Sequence, residues 1–174
     1  MKLKMILWTA AICLGMSGVT LAQKPVRFTS VYSGLNKGCK TLHGSHGTDD
    51  AFLCPGPGGY KVRVYYSAAT MQINAEPRGS DHSASLATLD LAFDDRKTKL
   101  EWRLANGKPF AVIMRQPVYG DPAPGEYFGK VIGWQLKVTG LVGYDVDQTI
   151  DASTPKANLS AREAADKAYK PRQK

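Results

Sequence analysis

Between residues 26 and 141, short runs rich in β-branched and aromatic residues recur between glycine, proline and asparagine turn signals, and several alternate apolar with polar positions. A period of two is what a strand with one buried face requires, so the pattern predicts a mainly antiparallel β protein. Strands are expected at 26–32, 60–67, 71–75, 86–91, 100–104, 110–116 and 131–141. Asn106-Gly107 is the sharpest local signal, because both residues tolerate the positive φ of a type I′ turn and so predict a hairpin over 100–116. A plain two-residue turn sets Trp102 opposite Ala111, giving Leu100, Trp102 and Leu104 a common core face with Ala111 and Ile113. Residues 34–59 and 117–125 read as loops from their glycines and prolines. Within the first, Cys54-Pro55-Gly56-Pro57-Gly58-Gly59 has no following Lys-Ser/Thr at a helix start, so its glycines serve a tight turn rather than a phosphate cradle.

The periodicity changes near the C-terminus. Ala161, Ala164, Ala165, Ala168 and Tyr169 form one helical stripe, small enough to approach a sheet closely. Ser160 with Glu163 fits a capping box, Leu159 is placed as a hydrophobic staple, and Pro171 ends the run. The same capping role accounts for Asn158-Leu159-Ser160, which also reads as a glycosylation sequon. A helix is therefore expected at about 159–170, followed by a frayed basic tail at 171–174. The fold class is mainly β (α+β): an antiparallel sheet or partly closed barrel with a C-terminal α-helix packed on it, one domain over 23–170.

The first 22 residues do not belong to that pattern. Lys2 and Lys4 precede an apolar stretch from Met5 to Met16 that is too short to span a bilayer, and Thr20 and Ala22 are the small residues a signal peptidase accepts. Cleavage between Ala22 and Gln23 is expected, leaving a periplasmic or secreted chain with no further membrane span. Cys13 leaves with the signal, and the remaining Cys39 and Cys54 are expected to form a disulfide.

Charge adds a second asymmetry. The whole chain carries a formal +8. Residues 23–174 hold 21 basic and 15 acidic residues, a balance of +6, of which +4 lies in 156–174 (Lys156, Arg162, Lys167, Lys170, Arg172 and Lys174 against Glu163 and Asp166). The plainer reading of this basic C-terminal segment is a solvated end that keeps the chain soluble; in an exported protein its functional reading is contact with an anionic envelope component, lipid head groups or wall polymers, rather than nucleic acid.

Candidate chemistry is sparse. His43 and His46, followed by Asp49 and Asp50, carry imidazole and carboxylate groups that suit zinc, but no helix holds them on one face and a polar loop closed by the disulfide is the stronger reading. Asp145, Asp147, Thr149 and Asp151 alternate like a calcium loop, yet Ile150 stands where such a loop needs glycine, and a turn between the last strand and the helix is the stronger reading. A nucleophile elbow, a zinc-protease helix and a Cys-His pairing are all absent from the sequence, and Asp81-His82-Ser83 are too close in sequence to converge as a triad. No cofactor motif is present.

Glu101-Trp102-Arg103, Gly107-Lys108-Pro109-Phe110-Ala111-x-Ile113-x-Arg115, Val142-Gly143-Tyr144, Asn158-x-x-Ala161-Arg162-x-x-Ala165-Asp166, and Cys39 with Cys54-Pro-Gly-x-Gly-Gly-Tyr60 together form a recognisable set. The chain resembles a group of small exported proteins of unknown function, mainly alphaproteobacterial. Members often carry a cysteine just before the Val-Gly-Tyr element and another after the last helix. Leu141 and Tyr169-Lys170-Pro171 occupy those regions here, so the resemblance implies a missing second bridge and a helix held by packing alone. It implies no catalytic residue.

These readings lead to an exported, non-enzymatic binding or envelope-associated domain, with a cell-wall-acting hydrolase as the alternative. Inhibition of a host lysozyme is a third reading, disfavoured because such lysozymes are usually basic and this chain is too.

Overall fold

The structure is a computed structural model that describes residues 25–42, 51–67, 69–93 and 97–171. The strands are β1 (Phe28–Gly34), β2 (Lys40–Leu42), β3 (Ala51–Pro55), β4 (Lys61–Tyr66), β5 (Thr70–Glu76), β6 (Ala84–Asp90), β7 (Lys99–Ala105), β8 (Lys108–Tyr119), β9 (Val131–Gly140) and β10 (Asp147–Asp151). One helix, α1 (Ala157–Ala168), follows them. The strands form two five-stranded antiparallel sheets, ordered β1-β7-β8-β9-β10 and β2-β3-β4-β5-β6, and no barrel closes.

The mainly β expectation holds, and each expected strand is present within a few residues of its expected ends. Three strands were not expected. β2 and β3 lie inside the stretch read as a loop, and β10 covers residues read as a turn. β2 and β3 are short, and the register Lys40↔Leu53 sets Cys39 opposite Cys54, so the disulfide joins neighbouring antiparallel chains. Pro117 does not end β8 either. Past Met114 that strand has lost its β7 partner and pairs with β9 alone, so a missing N–H on the open side breaks no ladder bond.

Alternation builds the core between the sheets. Val62 and Val64 of β4 pair with Ala75 and Ile73 of β5, and all four are buried against Leu100, Trp102, Val112 and Met114 of the other sheet. Trp102 is fully buried, its Nε1–H donating to Ser33 Oγ at 2.8 Å. A Cβ on Gly56 would lie 2.9 Å from the Trp102 ring, so glycine is needed there for close approach. The turn after it is the tight one expected, with Gly58 and Gly59 at φ 62° and 83°.

The hairpin turn forms as expected, with Asn106 at φ 50° and Gly107 at φ 80°, but its register differs. A bulge at Phe110 pairs Trp102 with Val112 and Arg103 with Ala111. Leu100, Trp102 and Leu104 therefore share the inter-sheet core with Val112 and Met114, while Phe110, Ala111 and Ile113 belong to a second core under the helix. The aromatic cluster of Phe28, Phe110, Tyr144 and Tyr169, with the Phe110 and Tyr169 centroids 4.9 Å apart, gives the extra residue its burial site.

The helix starts earlier than the capping reading placed it. Lys156, at φ 61°, is the N-cap with no side-chain cap bond, and Ser160 lies inside the helix. A turn sets that start: Asp151 Oδ1 accepts from the Ser153 amide and hydroxyl, and Thr154 O accepts the Ala157 amide. Of the alanine stripe Ala161 and Ala165 are buried and Ala164 and Ala168 half-buried, Ala157 joins the buried face at the helix start, and the helix ends at Ala168, just before Lys170-Pro171.

Packing is not all that holds the helix. Arg162 Nε and Nη2 donate to Glu101 Oε1 and Oε2 at 2.6 and 3.2 Å, and Nη2 also donates to Tyr32 Oη at 2.9 Å. Arg103 donates to Asp166 at 3.0 and 2.5 Å, and Ser30 Oγ links the pairs, accepting from Arg103 and donating to Glu101. β7 thus sends apolar residues into one core and two paired charges under the helix.

Candidate functional site

One end of the first sheet carries a groove. β1 ends there, β7 begins there, and β8 and β9 run past both as a two-stranded ribbon. Arg115, Pro117 and Tyr119 lie on one face of β8, opposite Leu136, Trp134 and Val131. A bulge at Ile132 allows this, because skipping that residue turns Val131 onto the face of Trp134. Phe93 and Asp90, at the end of β6 and in the turn after it, close the opposite side of a hollow of about 670 Å³. That volume lies within the range of small-ligand sites.

The hollow combines aromatic faces with cations. Trp134 is 42% exposed, Phe93 lies 6.5 Å from it, and the Arg115 guanidinium sits 5.4 Å from the centre of its ring. Lys97 and Lys99 form the wall at the start of β7. Asp90 is the one carboxylate lining this hollow among the described residues, and its Oδ1 accepts the Ala92 amide at 2.8 Å within its own turn. Tyr119 Oη accepts the Asp90 amide at 3.2 Å. Burial pushes the Tyr119 phenol above its ordinary value, and the weaker opposing effect of that hydrogen bond does not reverse it, so Tyr119 stays protonated.

Two further hollows adjoin the first. One of about 800 Å³ shares Lys97, Thr98 and Lys99 with it and continues to Lys37, Asn36 and Tyr32. The other, about 470 Å³, shares Asp90 and Gly129 and reaches Tyr127 and Lys130 on the connection between β8 and β9. Gly129 is essential to that end, since a Cβ there would lie 2.3 Å from Gly120 O.

Among the described residues, none of the sites read from the sequence lines this groove. Cys39 and Cys54 form the expected disulfide in the other sheet. His43, His46, Asp49 and Asp50, and the cleavage residues Ala22 and Gln23, lie outside the described residues. Among the described residues no group of three or more His, Cys, Asp and Glu side chains could hold a metal. The calcium-like run is a strand: Asp147, Thr149 and Asp151 are spread along β10, Asp147 pairs with Lys137, and hydrogen bonds from Ser153 hold the Asp151 carboxyl below its ordinary range. Of the basic C-terminal segment, Arg162 is engaged by Glu101 and Tyr32.

Sequence reasoning missed the groove because its lining comes from separate segments, each locally ordinary. The usable signal was Trp134 within a strand that otherwise alternates towards the core.

Comparison with family models, curated proteins and solved structures found nothing that matches this chain. No helix among the described residues is long and apolar enough to cross a membrane.

Proposed function

We propose that this chain is an exported, non-enzymatic binding domain of the bacterial envelope that holds an anionic envelope component in the groove. The observation that carries the reading is the Arg115 guanidinium on the half-exposed Trp134 ring beside Lys97 and Lys99. An exposed aromatic face binds sugar rings or other flat apolar groups, and the surrounding cations select those that carry negative charge. Export is supported by the pattern of residues 1–22 and by the Cys39–Cys54 bridge, which belongs to oxidising compartments.

A cell-wall hydrolase is the competing reading. Glycoside hydrolysis by the usual route needs two carboxylates across the scissile bond, and the central hollow offers Asp90 alone among its described residues. Sedimentation of residues 23–174 with purified wall sacculi tests both. Binding at low salt that is lost at high salt, and is weakened in the Arg115→Ala/Trp134→Ala double variant, supports the binding reading. Failure to bind either the sacculi or anionic phospholipid vesicles, or release of soluble wall fragments, overturns it.

A further inference from the structure

Resting on the binding reading above, we infer that the groove takes an extended acidic glycan, laid across the sheet end so that one ring stacks on Trp134 and further anionic groups reach Lys99 and Lys37. The central hollow and the larger one beside it share the Lys97-Thr98-Lys99 wall, so a chain can pass from one to the other. Their linings run from β1 through β7 and β8 to β9, neighbours in that order in the sheet. Three interstrand steps of about 4.8 Å give a span of roughly 14 Å, longer than a single sugar ring.

The chemistry differs along that span. The aromatic residues Trp134 and Phe93 lie at the β9 end with Arg115. The β1 end has Lys37, Asn36, Ser33 and the Tyr32 ring, the last held by the Arg162 donation to its hydroxyl. Across both hollows the described lining has four cationic side chains (Lys37, Lys97, Lys99 and Arg115) and one carboxylate (Asp90). A small anion needs one such subsite, whereas a polymer with repeated charge uses both and gains from linking them. A flat lipid surface would contact protruding groups, and these cations line concave hollows.

The test is a length series read by fluorescence. Residues 23–174 contain two tryptophans, and Trp102 is fully buried, so quenching reports Trp134. An acidic disaccharide, a longer acidic oligomer of the same repeat, the neutral oligomer and anionic phospholipid vesicles are titrated in turn. The acidic oligomer is expected to bind at least roughly tenfold more tightly than the disaccharide. Lys37→Ala, at an exposed position that lines the adjoining hollow and not the central one, is expected to remove most of that gain while changing disaccharide binding less than about twofold. Tight disaccharide binding with no length dependence overturns the extended-chain inference and leaves the groove reading standing. Binding to vesicles but to no acidic sugar overturns the glycan and transfers the site to lipid. No response to any probe, with an unchanged melting curve, overturns both.

Discussion

Replacing Arg162 with methionine tests how the helix is held to the sheet. The substitution keeps most of the aliphatic stem but removes two donations to Glu101 and one to Tyr32. Glu101 is 8% exposed and would keep the Ser30 and Tyr32 hydroxyls as donors. Breaking a buried ion pair from one side costs about 3–5 kcal/mol, because a charge is left without compensation. Here the Arg162 side chain is 36% exposed, so water reaches the vacated side, and about 2–3 kcal/mol is expected. For a chain of this size that lowers Tm by about 5–10 °C.

The pH dependence sharpens the test. Burial pushes the Glu101 carboxyl up, but hydrogen bonds from Arg162 and Ser30 outweigh it and hold the group below its ordinary value of 4.5. A carboxyl lowered in the folded state adds stability above its unfolded pKa and loses it as pH falls through the folded value. In the methionine variant burial is opposed by the Ser30 and Tyr32 hydroxyls alone among these groups, so the carboxyl rises relative to the parent and less stability is lost as the pH falls. The stability gap between parent and variant is therefore widest near neutral pH and narrows below the ordinary value. Urea unfolding across that range, with Glu101→Gln and the double variant completing a cycle, measures it. A loss under about 0.5 kcal/mol at neutral pH, a gap that widens in acid, or additive single effects would refute the reasoning.

Replacing Cys39 and Cys54 together with serine is expected to cost about 3 kcal/mol, from a bridge of sequence separation 15, and reductant should lower the urea midpoint of the parent but not of the variant. Gly129→Ala drives a Cβ against the backbone oxygens of Gly120 and Asp121, at 2.3 and 2.5 Å, so the loop end of the ribbon must open. The expected result is a stability loss of about 1–3 kcal/mol together with weaker ligand quenching of Trp134; an unchanged titration would separate the ribbon from the groove.

Local signals were read well where the deciding contacts are local. Asn106-Gly107 specifies its turn through backbone preference alone, and the turn forms. The alanine stripe specifies a close-packed helix, and Ala161 and Ala165 are buried while Ala164 and Ala168 are half-buried. The capping box failed because Asp151, Ser153 and Thr154 set the chain direction before Ser160 is reached. Hairpin register failed for a longer-range reason: Phe110 is drawn to Phe28 and Tyr169, residues far from it in sequence, and the bulge that allows this shifts every later residue of β8 by one.

By itself, then, the sequence determined the β class, most strands, the hairpin turn, the buried face of the helix and the pairing of Cys39 with Cys54, because period, turn chemistry and composition act over a few residues. Tertiary structure decided which face of β8 meets which core, why Glu101 and Arg103 can lie on a central strand, and where a ligand can sit. Those outcomes depend on contacts between segments as distant as Tyr32, Arg115 and Trp134, whose meeting is set by sheet order and two bulges rather than by any local pattern.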